Sequence, residues 1–157
     1  MTQHWPAADI DRIARLHVLA EVTPGAVVVE TVLLDTFDRV WTVASDLEAE
    51  LPRYLPDVRS FTVTRDHGER LHAHARGYLG IRARFDVILR PGWCLMRSRF
   101  LLGAMAAEPM AGGTRFAFLG GFRFPGLRLF APMIRLLGRA ALRHVLARYA
   151  ARVGARP

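Results

Sequence analysis

From Val58 to Phe124 the chain alternates apolar and polar residues in six segments joined by short, turn-forming links. A period of two turns successive side chains to opposite faces, the pattern of a half-buried strand. The expected strands are 59–65, 70–78, 81–90, 93–99, 101–108 and 114–124. Between them stand Asp66-His67-Gly68-Glu69, Leu79-Gly80, Pro91-Gly92 and Met110-Ala111-Gly112-Gly113, all turn chemistry at hairpin length. Sequential hairpins build an antiparallel meander, which sets the fold class as α+β once helices flank it. Gly120-Gly121 inside the last strand predicts a bulge or bend.

A chain of 157 residues suffices for one sizeable core, and 52% hydrophobic residues argue against disorder. No apolar run approaches the roughly 20 residues that span a bilayer. The start has neither the basic flank nor the apolar centre of a signal peptide. Cys94 is the single cysteine, which excludes an internal disulfide and points to the cytoplasm. The net charge of +8 invites a polyanionic partner. All 22 basic residues are arginine, however, and lysine and asparagine are both absent. That one-sidedness fits GC-rich codon usage better than selection for a binding surface. Aromatic residues are not interleaved with the arginines as base-stacking platforms require, so nucleic acid is ranked last among partners.

Ahead of the strands, Val27-Val28-Val29 and Val32-Leu33-Leu34 lead into Phe37-Asp38-Arg39-Val40-Trp41, then an acidic break at Asp46. Leu51-Pro52-Arg53-Tyr54-Leu55-Pro56 follows. One strand followed by two short helices is expected. This opening resembles that of the START-related superfamily of polyketide cyclases, lipid-transfer domains and birch-allergen-like proteins. The resemblance implies a helix-grip fold, a curved antiparallel sheet of six to seven strands wrapped on a long C-terminal helix. It implies a ligand-binding domain over 26–154 and leaves 1–25 as a helical leader. In that leader Ile10, Ile13, Ala14 and His17 recur at helical spacing after a cap at Asp9, predicting a helix over 8–19. The stretch 16–22 also alternates as a strand would.

From Gly126 a helix of more than twenty residues is expected, with its continuous part starting near Ala131 because Pro132 belongs in a first turn. At 100° per residue, Phe130, Met133, Ile134, Leu137, Ala141 and Val145 share one face, which is predicted to meet the sheet. His144 and Arg148 fall within that face, four residues apart. Arg128, Arg135, Arg139 and Arg143 are expected opposite, in solvent.

The inward parity of 70–78 is Leu71, Ala73, Ala75 and Gly77, unusually small. With Trp41, Tyr54, Phe85, Met96, Phe116, Phe118, Met133, Leu137 and Ala141 around it, this wall describes an apolar ligand cavity. It equally describes a plainly packed core in which small residues meet large neighbours. His72 and His74 share a strand face with Arg76, which disfavours a cation, so no metal is expected. No cofactor motif appears. Within the family the aromatase/cyclase branch is similar in Val40-Trp41, Asp46 and the Ala111–Thr114 turn. Its cavity arginine would correspond to Arg90, although alternation turns Arg90 outward. The candidate catalytic residues are therefore His144, Arg90 and Arg148. The expected partner is a hydrophobic small molecule or polyketide intermediate, with an aldol closure as the chemistry. The alternative is a non-catalytic carrier of a lipid, isoprenoid or quinone whose arginine-bearing helix touches anionic membrane.

Overall fold

The computed structural model describes residues 10–123 and 126–154. In chain order it contains α1 (Arg12–Val22), β1 (Val27–Leu33), α2 (Phe37–Ser45), α3 (Leu47–Tyr54), β2 (Val58–His67), β3 (Arg70–Gly77), β4 (Arg82–Arg90), β5 (Trp93–Arg97), β6 (Leu101–Met110), β7 (Gly113–Phe122), a 3-10 turn (Leu127–Leu129) and α4 (Ala131–Gly154). All seven strands form one curved antiparallel sheet in the order β1-β7-β6-β5-β4-β3-β2. Five successive hairpins make the meander from β2 to β7, and β1 closes against β7. The expected strands and the two short helices after β1 are present; Phe124, the expected end of the last strand, lies outside the described residues.

Side-chain caps punctuate the helices. Thr36 Oγ1 accepts from the Arg39 amide at the start of α2. Asp46 is the acidic break read from the sequence, and its carboxylate accepts from the Ala49 amide at 3.2 Å to open α3. Gly120 and Gly121 make no bulge, since β7 holds register with β6 from Leu101↔Phe122 onward. Their role is clearance. A Cβ on Gly120 would lie 3.3 Å from Leu142 of α4, and one on Gly121 would lie 3.0 Å from Ala26. Gly113 is stricter still, because a Cβ there would fall 2.2 Å from the Leu33 carbonyl oxygen.

The concave face of the sheet carries the main core. Val27, Val29, Phe61, Leu71, Ala73, Val87, Cys94, Met105, Phe116 and Phe118 pack against α2, α3 and the second half of α4. The convex face carries a second core. There Ile13 and Leu16 of α1 sit on Leu102, Ala104, Ala106, Ala117 and Leu119 of β6 and β7. The leader is thus a helix packed on the outside of the sheet. Its cap is Asp11, whose carboxylate accepts from the Ala14 amide at 2.7 Å; the expected cap, Asp9, lies outside the described residues. Arg12 fastens the helix start to Glu108, through its amide at 2.8 Å and its guanidinium at 3.0 Å. Glu30 of β1 accepts from His17 and from Arg115. The His17 hydrogen bond, then Arg115, holds the Glu30 carboxyl below the usual carboxylate range.

The face of α4 that meets the sheet differs from the expected one. Ile134, Gly138 and Leu142 are half-buried and Val145, Leu146, Tyr149 and Val153 are buried. Phe130, Met133, Leu137, Ala141, His144 and Arg148 are exposed. The helix is turned by about 90° from the predicted setting. Two apolar stripes coexist on α4, and the predicted face followed the wrong one. Leu142, Leu146, Tyr149 and Val153 are spaced four, three and four, a regular core-facing seam. Leu142 approaches the sheet only because Gly120 leaves room for it.

Candidate functional site

The concave face changes character along its length. Beneath the second half of α4 it is filled by aromatic rings. Phe116 stacks on Tyr149 at 4.3 Å with 19° between planes, and Tyr54 and Phe118 meet Tyr149 edge-on at 5.3 and 5.5 Å. Tyr149 donates its hydroxyl to the Val40 carbonyl at 2.6 Å, and Tyr54 donates to Met105 Sδ at 3.6 Å. Both hydroxyls therefore have partners despite full burial. Beside this plug Glu50, also buried, accepts from Arg152 at 2.7 and 3.2 Å, tying α3 to the end of α4.

Toward the first half of α4 the same face opens. The inward positions Phe85, Gly103 and Gly120 are only half-buried, and Phe122 is exposed. Leu142, Gly138 and Ile134, all half-buried, look onto this end from the helix. Gly103 and Gly120 are direct partners across β6 and β7, so the floor there lacks side chains on two adjacent strands. Met96 bounds it, 3.3 Å from where a Gly103 Cβ would stand. Burial thus falls along this face, from the packed aromatic rings at one end to the Gly103–Gly120 end, which is the candidate groove.

The residues proposed from sequence divide into three groups. Trp41, Tyr54, Ala73, Ala75, Met96, Phe116 and Phe118 are buried in the concave-face core, and Phe85 is half-buried beside it. Above Ala73 and Ala75 the space is taken by large neighbours: Phe61 pairs with Ala75, Phe85 pairs with Ala73, and the two rings lie 5.9 Å apart. Met133, Leu137 and Ala141 stand on the exposed side of α4, as do His144 and Arg148. Arg90 is on the convex face, exposed and paired with Glu69, as strand alternation requires. His144, Arg148 and Arg90 therefore do not converge on the groove. Its floor residues, Gly103 and Gly120, and Leu142 above them were missed; Gly120 was visible in the sequence but read as a bulge or bend.

Outside the groove, His72 Nδ1 lies 3.0 Å from Asp86 Oδ1 on the convex face, and both are exposed. They line a groove of about 770 Å³ with His74, Arg84 and Arg97 that reaches round to Phe85, Ser98 and Arg99. Among the described residues no three His, Cys, Asp or Glu side chains gather as metal ligands would.

Cys94 lies on the concave side of β5, fully buried, and desolvation pushes its thiol from 9.0 up to about 12. Burial also raises the Tyr54 and Tyr149 hydroxyls. Groups whose values are raised on folding stabilise below their unfolded values, and the contribution is lost as pH climbs toward the folded ones. Denaturant midpoints should thus hold up to about pH 9 and fall from there toward pH 12. Cys94 should resist Ellman's reagent at pH 8 until denaturant is added. Rapid labelling of the folded protein would contradict its burial.

No family model matches the sequence, and no curated protein matches it. Solved structures do. A Thermus thermophilus protein superposes with a TM-score of 0.63 at 21% identity, over 83% of this chain and 97% of that one. A START superfamily protein from Mycobacterium smegmatis gives 0.58 at 15% identity, over 82% and 97%. The ZhuI aromatase/cyclase from Streptomyces sp. R1128 gives 0.63 at 13% identity, over 82% and 93%. Together with the seven-stranded curved sheet and the long α4, these likenesses establish that the chain shares the fold of these START-superfamily and aromatase/cyclase structures.

Proposed function

We propose that the protein binds a hydrophobic small molecule in the open end of the concave groove, between Leu142 and the floor made by Phe85, Met96, Gly103 and Gly120. The observation that carries this is the change in burial along one apolar face, from rings at 0–5% exposure to half-open positions. Apolar walls left partly wet at one end are the usual setting for a small-molecule site. The lining is apolar, and the three polar side chains nominated for catalysis lie elsewhere. Binding or carriage of a lipid-, isoprenoid- or quinone-like molecule is the reading this lining favours.

A polyketide aromatase/cyclase is the second reading, favoured by the likeness to the Streptomyces enzyme. There the groove would act by holding a poly-ketone chain in the geometry of ring closure.

The test is a fluorescence titration with the neutral probe N-phenyl-1-naphthylamine, paired with native mass spectrometry for a co-purifying ligand. Gly103→Leu fills the floor, and the neighbour it meets first is the flexible end of Met96. We expect at least tenfold weaker probe binding with a thermal midpoint within a few degrees of the parent. His144→Ala should leave affinity unchanged. Undiminished binding in Gly103→Leu, or no binding by the parent, would refute the groove assignment.

A further inference from the structure

Among the described residues, the exposed side of α4 and the turn before it carry an apolar stripe that nothing covers. Leu129, Phe130, Met133, Leu136 and Leu137 are between 56% and 83% exposed, all within nine residues of chain. Single exposed leucines need no explanation, but a contiguous cluster of five large side chains marks a surface that something covers. On the helical wheel the four from Phe130 to Leu137 span about 120°, and Arg139 and Arg143 run along one edge.

Charge decides what covers it. Nine arginines and no acidic residue follow Glu108. Of these, Arg128, Arg135, Arg139, Arg143 and Arg148 are exposed on α4 and the turn before it, whereas Arg115 pairs with Glu30 and Arg152 with Glu50. A second copy docked through the same stripe would bring Arg139 and Arg143 of each protomer together with no carboxylate from α4 to pair them. An anionic lipid surface supplies both missing elements: acyl chains for the stripe and phosphates for the guanidiniums. Arginine stems can lie along the apolar surface while their heads reach the phosphates. Among the described residues no helix is long and apolar enough to cross a bilayer, so the contact is interfacial.

We infer that the first half of α4, with the turn before it, is a docking surface for anionic membrane. The inference stands on exposure and charge alone and does not depend on the groove holding a ligand.

The experiment is co-sedimentation of the full chain with unilamellar vesicles of phosphatidylcholine, with and without 30% phosphatidylglycerol, at two salt concentrations. We expect at least tenfold stronger binding to the anionic vesicles, weakening as salt rises. Leu136→Gln/Leu137→Gln should reduce that binding at least tenfold. Arg139→Gln/Arg143→Gln should reduce it and flatten the salt dependence. Both pairs are exposed, so urea midpoints should match the parent and exclude misfolding as the cause. Equal binding to both vesicle types, no binding to either, or full binding by the leucine variant would overturn the inference. So would a dimer in sedimentation equilibrium that the leucine variant abolishes, which would assign the stripe to a second copy.

Discussion

Replacing Ile13 and Leu16 together by alanine is expected to remove most of the protein's stability. Both side chains have no exposed surface, and together they fill the centre of the convex-face core. A buried leucine or isoleucine truncated to alanine costs roughly 2–5 kcal/mol through lost burial and the cavity left behind. The two sites are one turn apart in the same core cluster, so their costs will not simply add. A joint loss of about 5 kcal/mol is comparable with the whole stability of many domains. The measurement is urea denaturation of the full chain, with Val18→Ala as control because Val18 is 54% exposed on the same helix. The control should stay within about 0.5 kcal/mol of the parent. A loss under 1 kcal/mol in the double variant would mean that α1 is an accessory lying on the sheet rather than part of its core.

The sequence carried a signal for this second core that alternation arguments passed over. Residues 101–107 read Leu-Leu-Gly-Ala-Met-Ala-Ala, and 116–119 read Phe-Ala-Phe-Leu. Strands with one wet face alternate; strands buried on both faces are continuously apolar. β3 and β4 alternate, with His72, His74, Arg82 and Arg84 exposed and, among the described residues, no helix over them. β6 and β7 do not alternate, and α1 lies over them. Hairpin links and period two were enough to place the strands from β2 to β7, because register and turn chemistry are local properties. The seating of α4 is not local. Its first half is apolar on several sides, and only the partner surface, with Gly120 admitting Leu142 and Gly138 lying beside Val27, selects which stripe goes inward. The candidate catalysts His144 and Arg148 were inferred from that helix setting, and they moved to the exposed side with it. Arg90 came from the family resemblance, whereas simple alternation already placed it on the convex face. The groove floor was hardest to foresee, since it consists of missing side chains at two positions paired across separate strands.

Tyr149→Ala is expected to be the most damaging single change on the concave side, with a cost of about 3–5 kcal/mol, the range for large buried aromatics. Three rings, Phe116, Phe118 and Tyr54, each contact Tyr149 within 5.5 Å. Aromatic pairs in these stacked and edge-on arrangements add about 0.5–1.5 kcal/mol beyond area burial. Tyr149 also joins α4 to α2 through the hydroxyl bonded to the Val40 carbonyl. Tyr149→Phe keeps the ring and removes only that bond, so it should cost about 0.5–1.5 kcal/mol. The pair of variants separates packing from hydrogen bonding by denaturant titration at pH 7. It also probes the groove, because Tyr149 belongs to its closed end. Removing the ring should lengthen the apolar space, while the Gly103–Gly120 floor and Leu142 above it remain. A folded fraction of Tyr149→Ala, stabilised by lower temperature, should therefore bind the neutral naphthylamine probe at least as well as the parent. If Tyr149→Ala and Tyr149→Phe instead lose the same small amount of stability, the ring contacts contribute little and the plug does not hold α4 in place. Probe binding abolished in a Tyr149→Ala protein shown to be folded would mean that the aromatic end is itself the binding site, and the open end would have to be given up.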